Sequence, residues 1–241
     1  PRISDSDSGV EDGAYHYFGL TESLKKEVES GLLSGGTHMS LIINIDGLPL
    51  SKSSANQFWP ILVLVHESKI RVPFTAALYF GKTKPKCLEG FLSDFINELL
   101  HLITGGLHHG SITYSVSIRA FVCDAPARSY AKCIPGHAGY YACEKCSQKG
   151  TYSLEFRKVL LTEVDHARRT DDDFKQQKNK QHHKGESPLL KLPIGMVSQF
   201  PLDYMHLVCL GVIKKILVQY WLGKTPSSAK LPSHVKASIS Q

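Results

Sequence analysis

Apolar positions recur along this chain with two different periods. Leu41, Ile42, Ile43 and Ile45 form a short β-branched run that reads as a buried strand and stops at Asp46-Gly47. Phe58 to Val65 and Phe74 to Phe80 read as two further strands. Leu88, Phe91, Leu92, Phe95, Ile96, Leu99, Leu100 and Ile103 then fall on one helical face, closed by Gly105-Gly106. Ile112, Tyr114, Val116, Ile118, Ala120 and Val122 alternate with Thr113, Ser115, Ser117 and Arg119. That period of two predicts a long strand ending at Cys123-Asp124-Ala125-Pro126, before a short helix over 127–133. The order is strand, strand, strand, helix, strand, helix, an α/β arrangement.

The flanking segments read differently. Residues 1–36 are expected to be a flexible leader with a Ser/Asp-rich start. It holds one short helix from Thr21 (as N-cap) to Leu33, stopped by Gly35-Gly36. Residues 37–134 form the first part of the core. Over 135–200 the periodicity vanishes, and the polar tract Arg168 to Ser187 suggests an insertion with a long solvated loop. In 201–241 a helical stripe returns (Met205, Cys209, Val212, Ile213, Ile216, Leu217, Tyr220) before a Ser/Lys/Pro-rich tail.

Composition narrows the function classes. The 241 residues are 42% hydrophobic and 21% charged, which excludes a mostly disordered or collagen-like chain. A net charge of +6 permits a nucleic-acid partner without demanding one. Six cysteines are too few for a disulfide scaffold at this length. The one close pair, Cys143-x-x-Cys146, together with twelve histidines suggests metal binding in a reducing compartment. No signal peptide is expected from the acidic, polar start, and no membrane span, since Leu207 to Leu222 is short and contains Lys214 and Lys215.

Three constellations could carry chemistry. Asp46 and Asp124 each end a predicted strand, and two carboxylates side by side suit Mg²⁺ or Mn²⁺. The plain alternatives are a turn at Asp46-Gly47 and a helix N-cap at Asp124. Cys143 and Cys146 have the spacing of half a zinc site. His137 and the pair Asp203 and His206 are the expected partners, with His182 and His183 also available. Lys82, Lys84 and Lys86 lie in one loop, and Lys52, Arg119 and Arg128 lie near the acids; these could contact phosphates or simply form a solvated face.

Four blocks in order resemble the transposases of CACTA-type DNA elements, in the wider group with Mirage and Chapaev elements. They are Ile43 to Leu50 with Phe58 to Leu62, Phe121 to Arg128, Gly136-His137 through Cys146, and Phe200 to Gly211. The resemblance spans roughly Thr37 to Leu222. It implies an RNase H-like mixed sheet flanked by helices, with a zinc-binding Cys-x-x-Cys insertion. It implies an Asp, Asp, Glu metal triad that cuts and joins DNA in the nucleus, on element ends and target, as a homo-oligomer when complete. No membrane and no small-molecule substrate are implied. Asp46 and Asp124 match the first two acids. The third, a Glu on a later helix, has no match: no Glu follows Glu186, and Asp203 belongs to the Asp-x-x-His block. The expectation is therefore a truncated or partial transposase, or alternatively an inactive, zinc-stabilised DNA- or protein-binding module derived from one.

Overall fold

A computed structural model describes residues 13–34, 36–51, 53–163, 165–218, 231–233, 235 and 238. Two compact units result, Pro1–Pro201 and Leu202–Gln241.

The first unit is α/β. Its seven-stranded sheet contains β1 (Gly13–Tyr17), β2 (His38–Ile45), β3 (Leu48–Pro49), β4 (Gln57–Val65), β5 (Phe74–Gly81), β6 (Leu107–His109) and β7 (Ile112–Phe121). Their order is β1-β5-β4-β2-β7-β6, with the short β3 paired to β4. β4 is antiparallel to both β2 and β5, whereas β7 runs parallel to β2. A parallel neighbour needs a crossover, which α2 (Leu88–Gly105) supplies between β5 and β7. The apolar face of α2 buries Leu88, Phe91, Leu92, Phe95, Ile96, Leu99 and Leu102. Each such side chain contributes roughly 1.5–3 kcal/mol when taken from water. Gly106 ends the helix at φ +76°, a left-handed conformation that a β-carbon disfavours.

Two expectations need correction here. Gly13–Tyr17 is not leader but an edge strand, antiparallel to β5. Thr21 does not cap α1 (Thr21–Glu29) through its side chain; its hydroxyl donates to Glu98 on α2 instead, and the helix ends at Ser30-Gly31, before Gly35-Gly36. The Ser/Asp-rich residues 1–12, Gly35 and Lys52 lie outside the described residues.

The register of β7 against β2 contains a bulge. Before it His38 faces Ser115, an offset of 77 residues. After it Ile43 faces Phe121, and Asn44 donates to the Val122 carbonyl, an offset of 78. The slip reverses which side chains point inward. Val116 and Ile118 are buried ahead of the bulge, Phe121 and Cys123 beyond it. The even-numbered alternation expected through Val122 thus breaks near Arg119.

Residues 135–200 are not a mainly solvated loop. They contain a hairpin of β8 (Thr151–Ser153) and β9 (Lys158–Leu160), a short helix α4 (Asp171–Lys175), and Phe174, Leu189, Leu192, Met196, Val197 and Phe200 in the core. Phe200 stacks on Phe121 with centroids 5.0 Å apart. Gln199 clamps the bulge: its carbonyl accepts from Phe121 N–H at 2.8 Å, and its side-chain amide donates to the Ile118 carbonyl at 2.6 Å. These are β7 backbone groups beyond the stretch that β6 pairs.

In the second unit Met205–Ile213 is π-helical and Lys214–Ile216 continues as α5. None of these residues is buried, so the amphipathic stripe expected there has no covered face among the described residues. Tyr220 and the stretch to Leu222 lie outside the described residues. Among the described residues no helix is long and apolar enough to cross a membrane.

Candidate active site

Asp46 follows β2 and Asp124 follows β7, each three residues beyond the facing pair Ile43 and Phe121. The bulge sets this equal count from the facing pair. Without it Asp46 would stand beside Cys123, and Asp124 would lie in the opposite phase of the alternation. Both are half-buried. Each has a carboxylate oxygen fixed by a backbone donor: Asp46 accepts from Gly47 N–H at 2.7 Å, and Asp124 accepts from Ala127 N–H at 2.7 Å. Asp124 is thus the N-cap of α3 (Ala125–Ala131), and the capping reading holds alongside any other role. The buried Cys123 thiol feels the charge of both acids. Burial raises its pKa to about 12, and the charges of Asp46 and Asp124 add to the rise, against the pull of an Ile45 N–H and of Arg128. The donor chemistry, two oriented carboxylates on adjacent parallel strands, fits a hard divalent cation.

Aromatic side chains wall this end of the sheet. The backbone at Gly47 passes so close to Trp59 that a β-carbon would sit 2.8 Å from the ring. Trp59 meets Tyr130 of α3 edge-on at 5.4 Å, and Tyr130 donates to the Pro85 carbonyl at 2.5 Å.

Cys143 and Cys146 lie together in the insertion, their sulfurs 3.3 Å apart, and Cys146 N–H points at the Cys143 sulfur at 3.3 Å. Burial and the Cys143 sulfur push the Cys146 thiol up, opposed by the Gln148 N–H and Arg169. The two residues between them fasten the turn. Glu144 accepts from Arg128 Nε at 2.9 Å and from Lys132 Nζ at 2.8 Å, both on or just after α3. Lys145 donates to the Val197 and Phe200 carbonyls at 2.8 and 2.9 Å. Arg128 is therefore buried in a structural network, not presented to phosphates. Sequence reasoning missed these roles, because charged residues between two cysteines look like surface.

Of the expected zinc partners, His137 is exposed, and Asp203 is hydrogen-bonded to His206 within the second unit. His182 is buried, with Nδ1 2.6 Å from the Tyr141 carbonyl. That bond leaves Nε2 as the lone-pair nitrogen, buried and without a hydrogen-bond partner. Burial holds the His182 pKa down at about 4, so the ring is neutral at pH 7. A side-by-side thiol pair and an orphaned imidazole nitrogen in the same insertion suit zinc chemically. Among the described residues, however, no three His, Cys, Asp or Glu side chains are grouped as a metal site.

Comparisons with known proteins match no family model and no curated protein.

Proposed function

We propose that the first unit is an RNase H-like core of a transposase related to CACTA-type elements, built to act on DNA phosphodiesters. One observation carries this reading: two aspartates directly follow adjacent parallel strands, each three residues beyond the facing pair Ile43 and Phe121. The four core strands, taken in chain order as first to fourth, lie third-second-first-fourth, with only the fourth parallel to the first. A mixed sheet of this kind supports the reading.

Asp46 and Asp124 would hold Mg²⁺ or Mn²⁺, their backbone donors keeping each carboxylate in one orientation. When bound, such ions activate an attacking oxygen and stabilise the leaving oxygen of a phosphodiester. Cys143 and Cys146 would hold a structural zinc in the insertion, which α3 and the Val197–Phe200 segment brace through Glu144 and Lys145. The working place of such a protein is the nucleus, on element ends and target DNA, and the complete protein would act as a homo-oligomer. The test is Mn²⁺ binding followed by electron paramagnetic resonance, with cleavage of duplex DNA in parallel. D46N and D124N should each lose Mn²⁺ binding and any cleavage; undiminished binding and cleavage in D46N removes the assignment.

A second reading, a zinc-stabilised DNA- or protein-binding module without catalysis, has its own support. Among the described residues no third acid joins Asp46 and Asp124 in a metal-binding group. Glu144 is already engaged by two cations, Arg128 and Lys132. DNA binding that persists with no metal-dependent cleavage favours this module.

A further inference from the structure

The loop Gly81 to Cys87 links β5 to α2 and carries Lys82, Lys84 and Lys86, all exposed, with no acidic residue among them. Such a loop is ordinarily a soft, solvated turn. This one is tied down at three points. Gln57 donates to the Lys82 carbonyl at 3.1 Å, Tyr130 donates to the Pro85 carbonyl at 2.5 Å, and Cys87 caps α2 by accepting from Gly90 N–H. Pro85 is buried, so the loop is pinned through its middle.

The pins also fix its place relative to the acids. Trp59 bonds Gln57 through its indole N–H at 2.9 Å while its ring lies against Gly47, next to Asp46. Tyr130, on the helix that Asp124 caps, takes Trp59 on its ring and Lys84 Nζ 4.8 Å from its centroid. Two aromatic rings therefore connect the lysine loop to the ends of both acid-bearing strands. No carboxylate pairs with Lys82 or Lys84 among the described residues. The nearest acid along the chain, Glu89, is bonded to Lys191.

We infer that Lys82 and Lys84 form a rigid phosphate-binding shoulder beside Asp46 and Asp124, which holds the backbone of the nucleic acid strand entering that site. The loop offers point charges on flexible stems rather than a cradle of backbone N–H groups. That suits successive phosphates of a polymer more than one enclosed nucleotide. The pinned backbone matters, since the loop itself gives up little conformational freedom when the strand arrives. The inference rests on the nucleic-acid reading of the acid pair.

The experiment is fluorescence anisotropy of the whole chain with a labelled DNA duplex, repeated across salt concentrations. The proteins compared are wild type, K82A/K84A, K82R/K84R and a control, K175A/K180A, in the insertion. Each phosphate contact contributes about 0.9 to the slope of log K against log salt. K82A/K84A should therefore flatten that slope by about 1.8. Its affinity deficit against wild type should shrink by about tenfold between 50 and 200 mM salt. K82R/K84R should keep the wild-type slope, and so should the control. A wild-type slope in K82A/K84A, with DNA still bound, overturns the shoulder and leaves the acid pair's reading standing. No DNA binding by the wild type overturns both. Binding of an acidic protein, with no DNA binding, assigns the loop to a different partner and also overturns the inference.

Discussion

Glu144 offers the sharpest test of how the insertion is held. Its carboxylate, 10% exposed, faces Arg128 and Lys132 side chains that are 5% and 1% exposed. Burial alone would raise the Glu144 pKa, but Lys132 and then Arg128 hold it below the usual carboxylate range, which favours the charged carboxylate. E144Q leaves two buried cations facing an amide. Removing one partner of a buried ion pair costs about 3–5 kcal/mol, and the retained amide oxygen, able to accept from one donor, puts E144Q at the lower end, about 3 kcal/mol. For a domain of this size that lowers Tm by about 6–12 °C. K132M should behave differently. Burial already lowers the Lys132 pKa despite Glu144, so its charge is held at a penalty. Lys132 Nζ lies 5.3 Å and 5.2 Å from the Phe174 and Phe200 ring centroids, an environment that accepts an apolar chain of similar length. Glu144 would keep Arg128, and the loss should stay below about 1.5 kcal/mol. The double variant should be less destabilised than the two losses added, with a coupling of about 1–3 kcal/mol. Urea unfolding followed by circular dichroism measures all three. The reasoning fails if E144Q unfolds within about 0.5 kcal/mol of wild type, or if K132M is the worse of the two.

Acid should expose a second carboxylate. Burial pushes Glu98 up, but the Thr21 and Tyr17 hydroxyls and the Thr21 and Leu20 N–H groups win and hold its pKa below the ordinary value. Its stabilisation is thus complete above the unfolded pKa of about 4.3 and is lost as pH falls through the folded value; E98Q should flatten the acid limb of a stability-against-pH curve, and an unchanged limb contradicts the assignment. Zinc content by mass spectrometry of the purified protein should fall to background in C143S, and equal zinc in both proteins removes Cys143 from any metal site. Q199A strips the donor from the Ile118 carbonyl and the acceptor from Gly195 N–H. It should cost about 2 kcal/mol in urea unfolding, and a change within about 0.5 kcal/mol means that water replaces both bonds without penalty.

The central strands and α2 were legible because their spacing reports burial directly. Ile43, Ile45 and the face from Leu88 to Leu99 are buried as their periods predict. The positions of Asp46 and Asp124 were legible as strand ends, since a carboxylate and a glycine or proline interrupt an apolar run. What the pattern hid was long-range. Gly13–Tyr17 is too short and too polar to declare itself, and it is a strand because β5 offers it an edge. The bulge at β7 leaves no signature in residue type, since Arg119 and Ala120 continue the alternation in letters while the backbone departs from it. The ion pairs of Glu144 and the carbonyl contacts of Lys145 were not foreseen, because charge alone does not reveal a waiting partner. Phe174 and His182 looked solvated inside a polar tract, yet both are buried.

The extra residue in β7 makes the level of the two acids a matter of counting. Losing one amino acid between Ser115 and Phe121 would leave a strand just as apolar and just as able to pair. It would turn one aspartate toward the wrong side and draw it back by about 3.3 Å along the sheet. A homologue missing that residue would look intact by composition and hydrophobicity, yet on the proposed reading its two carboxylates would no longer face one ion. On that reading, the spacing between these aspartates among related chains would report a conserved site more reliably than the identity of the residues around them.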